Sequence, residues 1–212
     1  SYLSNRVLNN HIENRLTDKE LVAKTLGGDK RAFGLIIRYT EALVSQIVFR
    51  LVDHPEDRKD IAQEVYLKTY KKLSGFRFES KLSTWIARIA YHTCINHLER
   101  KKPVLLSHFN EGEEEENDQT DNLFFGGNTE STLNDTISVI HKKELQAILW
   151  SEIARLDPVQ KMLITLFHQE ELSYDEIANI TQMPIGTIKN YLFRARRSLR
   201  DRLMIKYKTG DL

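Results

Sequence analysis

Between Pro103 and Ile140 the chain carries nine carboxylates (Glu111, Glu113 to Glu116, Asp118, Asp121, Glu130 and Asp135) and no lysine or arginine. Within that stretch, residues 103–132 show no helical period; they are polar and acidic, with Gly126-Gly127 and an isolated Leu123-Phe124-Phe125. Such a segment reads as a linker. It divides the apolar residues of this 212-residue chain into two blocks, each the size of a small compact domain. Nine glycines and four prolines are too few for a turn-rich all-β fold, and the apolar spacing in both blocks is helical. The expected fold is all-α: two small helical domains, 1–102 and 133–212, joined by the acidic linker 103–132.

The remaining composition narrows the function classes. Hydrophobic residues at 41% and charged residues at 29% support a core and exclude wholesale disorder. No apolar run approaches the roughly 18 residues of a membrane span, and the start lacks a signal-peptide pattern. A cytoplasmic protein with no membrane insertion is therefore expected. The lone cysteine, Cys94, excludes an intramolecular disulfide and a Cys-based zinc module. The formal net charge of +1 hides a segregation: residues 103–140 carry −9 and residues 185–212 carry +6. That pattern suits a basic nucleic-acid face and an acidic segment with a separate task, the plainer alternative being solvated helix faces.

In the first block, Thr17 and Glu20 have capping-box spacing, so a helix starts there, and Gly27-Gly28-Asp29 ends it and caps the next. The second helix places Phe33, Ile36, Ile37, Val44, Ile47, Val48 and Leu51 on one face. His54-Pro55-Glu56-Asp57 turns the chain into a third helix, predicted to bury Ile61, Val65, either Tyr66 or Leu67, Tyr70 and Leu73, before Ser74-Gly75 ends it. A fourth helix is expected from near Thr84, with apolar pairs Trp85/Ile86, Ile89/Ala90, Thr93/Cys94 and His97/Leu98, ending in basic Arg100, Lys101 and Lys102. His92, Cys94 and His97 do not make a metal site, because residues two apart on a helix point in very different directions.

The second block predicts helices over 135–155 and 158–168, then a capping box, Ser173 with Glu176, opening a short helix with Ile177, Ala178 and Ile180. Gln182-Met183-Pro184 is a tight connection to a long basic helix whose buried stripe is Ile188, Leu192, Ala195, Leu199 and Leu203. A short helix, a turn and a longer helix make a helix-turn-helix candidate. The second helix shows Lys189, Asn190, Phe193, Arg194 and Arg197 on its other side, donors for phosphates and base edges with one apolar group suited to a thymine methyl. An ordinary helical hairpin with a charged outer face has the same pattern.

Particular words in the chain resolve the choice. Leu172-Ser173-Tyr174-Asp175-Glu176-Ile177-Ala178, Met183-Pro184-Ile185-Gly186-Thr187-Ile188-Lys189 and Arg194-Ala195-Arg196 closely resemble region 4 of bacterial sigma factors. Asp60-Ile61-Ala62-Gln63-Glu64-Val65 resembles region 2.2, and Ser80-Lys81-Leu82-Ser83-Thr84-Trp85-Ile86-Ala87-Arg88-Ile89-Ala90 resembles regions 2.3 and 2.4. With no region 1.1 and no region 3 fitting between the blocks, the plan is similar to the extracytoplasmic-function (ECF) group. The resemblance covers about 150 of the 212 residues, in the right order. There are two departures: His92 stands where the family usually has Asn, and Gln182 stands where it often has a Gly with positive φ.

The resemblance implies a sigma factor, not a catalyst, needing no cofactor or metal: it binds core RNA polymerase and directs promoter-specific initiation by reading −35 duplex and a melted −10 strand. It implies that Asp60, Gln63 and Glu64 dock on arginine-bearing helices of the β′ clamp, for which carboxylates and an amide are suitable partners; helix-dipole complementarity is the rival account of Asp57 and Asp60. It places Phe76, Arg77, Ser80 and Lys81, with Arg88, His92 and Asn96 on the neighbouring helix, on the melted −10 strand, where aromatics stack and cations hold phosphates. Phe76 is expected nearer the pocket, with Phe78 open, and Trp85 is expected in the core. Lys189, Asn190, Phe193, Arg194 and Arg197 fall to the −35 element. The β flap, promoter DNA and an anti-sigma factor complete the implied partners. The linker is either a solvated tether or an RNA mimic in the polymerase cleft. A helix-turn-helix regulator working without polymerase has no use for the 2.2-like helix, and a hydrolase lacks an acid/base constellation at fixed spacing.

Overall fold

The structure, a computed structural model, describes residues 16–101 and 147–209. The acidic linker and both neighbouring stretches lie outside the described residues. The chain forms two compact units, both helical.

In the first unit α1 (Asp18–Leu26) opens on the expected capping box: Glu20 N donates to Thr17 Oγ1 at 3.3 Å and Thr17 N to Glu20 Oε2 at 2.7 Å. Asp29 caps α2 (Lys30–Leu51), its Oδ1 accepting from Arg31 N at 2.8 Å and Ala32 N at 3.3 Å. α2 packs against both α1 and α3 (Pro55–Lys72), burying Ala32, Ile36, Thr40, Val44, Ile47, Val48 and Leu51. By length and composition α2 is also apolar enough to cross a membrane, with a window of mean hydropathy 1.3, although Arg38 and Glu41 interrupt it so that it is not a continuous apolar run. Its apolar side is the core of this unit. Arg58 closes the end of α2, Nε donating to Val52 O at 2.7 Å while the guanidinium covers Phe49 at 4.1 Å.

In α3 one open choice is settled and one position, Tyr70, departs from expectation. Tyr66 rather than Leu67 turns inward, sharing a 3.3 Å hydrogen bond with Thr40, while Leu67 is 63% exposed. Tyr70 is 53% exposed, edge-on to Phe33, and Thr69 takes the buried place with its hydroxyl donating to Val65 O at 2.8 Å. A 3₁₀ turn, Leu73–Gly75, follows. α4 (Leu82–Lys101) begins two residues earlier than Thr84 because Asp18 of α1 accepts from Leu82 N at 2.8 Å, capping the helix from a distant element. Its buried stripe is Leu82, Ile86, Ala90 and Cys94. Burial pushes the Cys94 thiol up to about 12, so it is inert packing.

Phe76, expected beside the strand pocket, is 7% exposed and lies between Phe78 and Trp85, with ring centroids 4.6 and 5.1 Å away. Phe78 is the ring that meets solvent.

In the second unit residues 147–154 are helical. Asp157 caps α5 (Pro158–His168), Oδ1 accepting from Val159 N and Gln160 N. Ser173 and Glu176 form the second capping box, opening α6 (Tyr174–Thr181). α7 (Ile185–Thr209) packs on α5 and buries Ile188, Leu192, Ala195 and Leu199, with Leu203 half-buried. Between α6 and α7 Gln182 adopts φ 62°, the left-handed conformation that the resemblance assigns to a glycine. Glu152 is fully buried, Oε1 bound by Lys206 Nζ at 2.9 Å and Arg155 Nη1 at 3.2 Å. The hydrogen bond from Lys206 holds its carboxyl below the usual carboxylate range.

Two substitutions test this packing. Gln182→Gly relieves a left-handed side chain, and is expected to raise the stability of the second unit by about 0.5–1 kcal/mol in thermal or urea unfolding. Phe76→Ala removes a core ring and is expected to cost the first unit about 3–5 kcal/mol; an unchanged unfolding midpoint would show that Phe76 is not a core residue.

Candidate nucleic-acid interface

Three surfaces emerge, each the reverse side of a buried stripe. On α3, Ile61, Val65 and Thr69 face inward, so the helical period turns Asp60, Gln63 and Glu64 outward, and all three are exposed. Glu64 is held by Lys68, whose Nζ lies 2.7 Å from Oε1 and also donates to Thr93 Oγ1 of α4 at 3.2 Å. Two carboxylates and an amide thus stand on one face of a helix anchored at its far side.

The second surface joins the 76–81 loop to α4. Arg77 and Lys81 are exposed; Ser80 is half-buried, its hydroxyl donating to Lys81 O at 3.3 Å. Arg88, His92 and Asn96 recur every four residues and are all exposed, opposite Ile86, Ala90 and Cys94. Trp85 is half-buried against Phe76. Partial burial, then the positive charges of Arg88 and Lys72, hold the His92 imidazolium below its ordinary range, so the ring is neutral at pH 7 and can stack or share hydrogen bonds. His92 exposed and Cys94 buried lie on different sides of α4.

The third surface is the outward face of α7. Lys189, Phe193, Arg194 and Arg197 are exposed and Asn190 is half-buried. The adjoining basic residue is differently engaged: the Arg196 guanidinium lies 5.4 Å from the Phe167 ring centroid, and Nε meets His168 Nε2 at 3.4 Å. Farther along, Arg194, Arg197 and Arg202 line a shallow groove of about 370 Å³ with Ser198, Asp201 and Ile205.

Sequence reasoning missed some participants. Tyr174 stacks on Phe167 at 4.8 Å and lies 5.7 Å from the Lys189 ammonium, so the first helix of the motif supports a side chain of the second. Lys19 of α1 reaches Phe78 at 6.0 Å. Neither contact has a sequence signal, since both join separate elements. Among the described residues no cluster of three or more His, Cys, Asp or Glu side chains is arranged to hold a metal ion.

Known proteins match this arrangement region by region. Residues 36–104 match the family described as Sigma-70 region 2, and residues 146–199 match Sigma-70, region 4. The RNA polymerase sigma-H factor of Pseudomonas aeruginosa is 33% identical over 190 residues, 86% of this chain and 91% of that protein. The ECF RNA polymerase sigma-E factor of Escherichia coli is 33% identical over 185 residues, 87% of this chain and 93% of that protein. Two solved structures share the fold. CnrH in complex with the cytosolic domain of CnrY superposes at TM-score 0.56 and 17% identity, covering 89% of this chain and 97% of that one. The sigma factor RpoE in complex with the anti-sigma factor NepR, from Bartonella quintana, does so at 0.54 and 18%, covering 82% and 97%. With regions 2 and 4 both matched, in order, and relatives 33% identical across most of its length, the chain belongs to the ECF group of the sigma-70 family, whose members direct transcription initiation by RNA polymerase and are not themselves enzymes.

Proposed function

We propose a division of the sigma-factor task among the three surfaces. Asp60, Gln63 and Glu64 dock on core RNA polymerase at the β′ clamp. Arg77, Ser80, Lys81, Arg88, His92 and Asn96 hold the melted −10 strand, with Phe76 as the buried support of that loop. Lys189, Asn190, Phe193, Arg194 and Arg197 read the −35 element as duplex, with the region 4 unit also meeting the β flap. The observation that carries this reading is the facing of α7: Ile188, Leu192, Ala195 and Leu199 are buried while Lys189, Phe193, Arg194 and Arg197 are exposed. A helix so oriented offers cations and one apolar ring to a major groove.

The domain plan follows: region 2 within 1–102, region 4 within 133–212, and the acidic segment 103–132 connecting them. The working compartment is the cytoplasm, where polymerase and promoter DNA are found. CnrH was solved in complex with the cytosolic domain of CnrY, and RpoE in complex with the anti-sigma factor NepR. An anti-sigma domain is accordingly the proposed regulator here. A helix-turn-helix regulator working without polymerase leaves the exposed face of α3 unused.

Run-off transcription with core enzyme, followed by start-site mapping, tests the whole reading. For docking, Asp60→Lys with Glu64→Lys is expected to weaken core binding by about tenfold or more while leaving unfolding unchanged, since both residues are exposed. Undiminished core affinity in the folded double variant refutes the α3 assignment. For duplex recognition, Arg194→Ala is expected to lose about 1–3 kcal/mol of discrimination at the −35 element, flattening preference among sequence variants in gel shifts. A uniform loss across all sequences would reassign Arg194 to phosphate contact.

A further inference from the structure

The C-terminal half of α7 carries a surface that duplex recognition uses only in part. Arg194, Arg197, Ser198, Asp201, Arg202 and Ile205 share one helical face and line the shallow groove of about 370 Å³. Beside the cations stand two apolar side chains, Met204 at 53% exposure and Ile205 at 63%. A helix C-terminus favours cations through its dipole, but that preference does not extend to exposed apolar groups. Nor does DNA account for them. At about 1.5 Å of rise per residue, Ile205 lies about 16 Å beyond Arg194, and a phosphate offers an aliphatic side chain nothing. The face fits a partner that is acidic and apolar together.

This chain contains such a partner. Nine carboxylates stand between Pro103 and Ile140 with no lysine or arginine among them, and Leu123-Phe124-Phe125 lies just after Asp121. The point at which the chain enters the second unit brings that segment near the face. Ala147 precedes Glu152 by about 7 Å of helix, and Lys206 of α7 binds the Glu152 carboxylate at 2.9 Å. That one carboxylate is shared between Lys206 and Arg155, with Arg202 also acting on it, so positive charge is in excess at this end of α7. The acid of the groove, Asp201, already meets Arg200 at 3.4 Å. From Phe125 to Ala147 the chain runs 22 residues. That length spans about 25 Å even when far from extended, more than the distance along α7 from Ile205 to Arg194.

We propose that the acidic segment 111–125 of this same chain docks on the C-terminal half of α7, Leu123, Phe124 and Phe125 against Met204 and Ile205, and the preceding carboxylates on Arg202, Arg197 and Arg194. The direction follows from the point of entry: the residues nearer Ala147 meet the end of α7 that holds Glu152, and the acids extend toward Arg194. Being tethered, the segment acts at an effective concentration on the order of millimolar, so a contact too weak to hold two separate molecules is well occupied. The docking goes beyond the proposed function and does not depend on it. Its consequence rests on the reading of α7 as the duplex reader: the segment and the −35 element compete for Arg194 and Arg197.

The test uses the full chain without polymerase, carrying Asn122→Cys with a nitroxide spin label and read through the backbone amide signals of α7. Cys94 stays in place, since it is buried and does not react. Docking is expected to cut the signals of residues 194–205 below about half at about 50 mM salt and to restore them at about 0.5 M, where charge pairing is screened. Phe124→Ser with Phe125→Ser leaves the net charge unchanged. It is expected to restore the signals at low salt and to tighten binding of a −35 duplex to the free chain about threefold or more. The label and both substitutions lie outside the described helices, and an unfolding midpoint accompanies each. Signals in α7 that are the same with the nitroxide oxidised and reduced overturn the docking. Equal broadening from a label carried only on a second copy overturns it too, since the contact is then between molecules. Broadening with unchanged duplex affinity in the double serine variant keeps the docking and removes the competition. Arg194→Ala that binds every duplex as the parent does removes the reading of α7 as the duplex reader and leaves the docking standing.

Discussion

Burial of one apolar stripe per helix decides where the charged side chains of this protein point. α3, α4 and α7 each place small or branched apolar residues at three- and four-residue spacing, and each has its candidate contact residues on the reverse face. Rotating α7 by one residue would bury Lys189 and expose Ile188, which is fully buried now. Desolvating an unpaired ammonium costs far more than the packing of one isoleucine contributes, so the register is strongly fixed. The outward placement of the candidate contact residues is thus a consequence of core formation.

The features legible in sequence are those settled within a few residues. Both capping boxes formed as read, because a hydroxyl and a carboxylate three positions apart need only each other and the backbone between them. The buried stripe of α7 and the outward set Lys189, Phe193, Arg194 and Arg197 were legible for the same reason, since helical period alone assigns them. Gln182 illustrates a reading that needed the family: a glutamine carries no sign of positive φ, and only the resemblance to a glycine position pointed to it.

What escaped was decided by contacts between elements. Tyr70 was expected inside because it is large and aromatic, yet Thr69 occupies the inward position and satisfies its hydroxyl on Val65 O, a solution that polarity scales do not reveal. Phe76 and Phe78 lie in a loop, where no period tells which of two rings faces inward. Glu152 carries no local sign of burial, and the lysine that meets its carboxylate, Lys206, lies more than fifty residues away, near the end of α7. The start of α4 was misplaced by two residues because its cap, Asp18, is supplied by α1.

Arg196 carries a consequence for how strongly this helix attracts DNA of any sequence. A count of basic residues along α7 treats Arg194, Arg196 and Arg197 alike, but Arg196 lies over Phe167 and meets His168, within its own unit. Its guanidinium is therefore held at the end of α5 and is not placed like those of Arg194 and Arg197 for direct contact with a duplex. Non-specific affinity scales with the number of phosphates neutralised. Under the proposed reading of α7, Arg194 and Arg197 reach the duplex while Arg196 is held within its own unit, so the direct phosphate contacts along the helix are fewer than its basic residues.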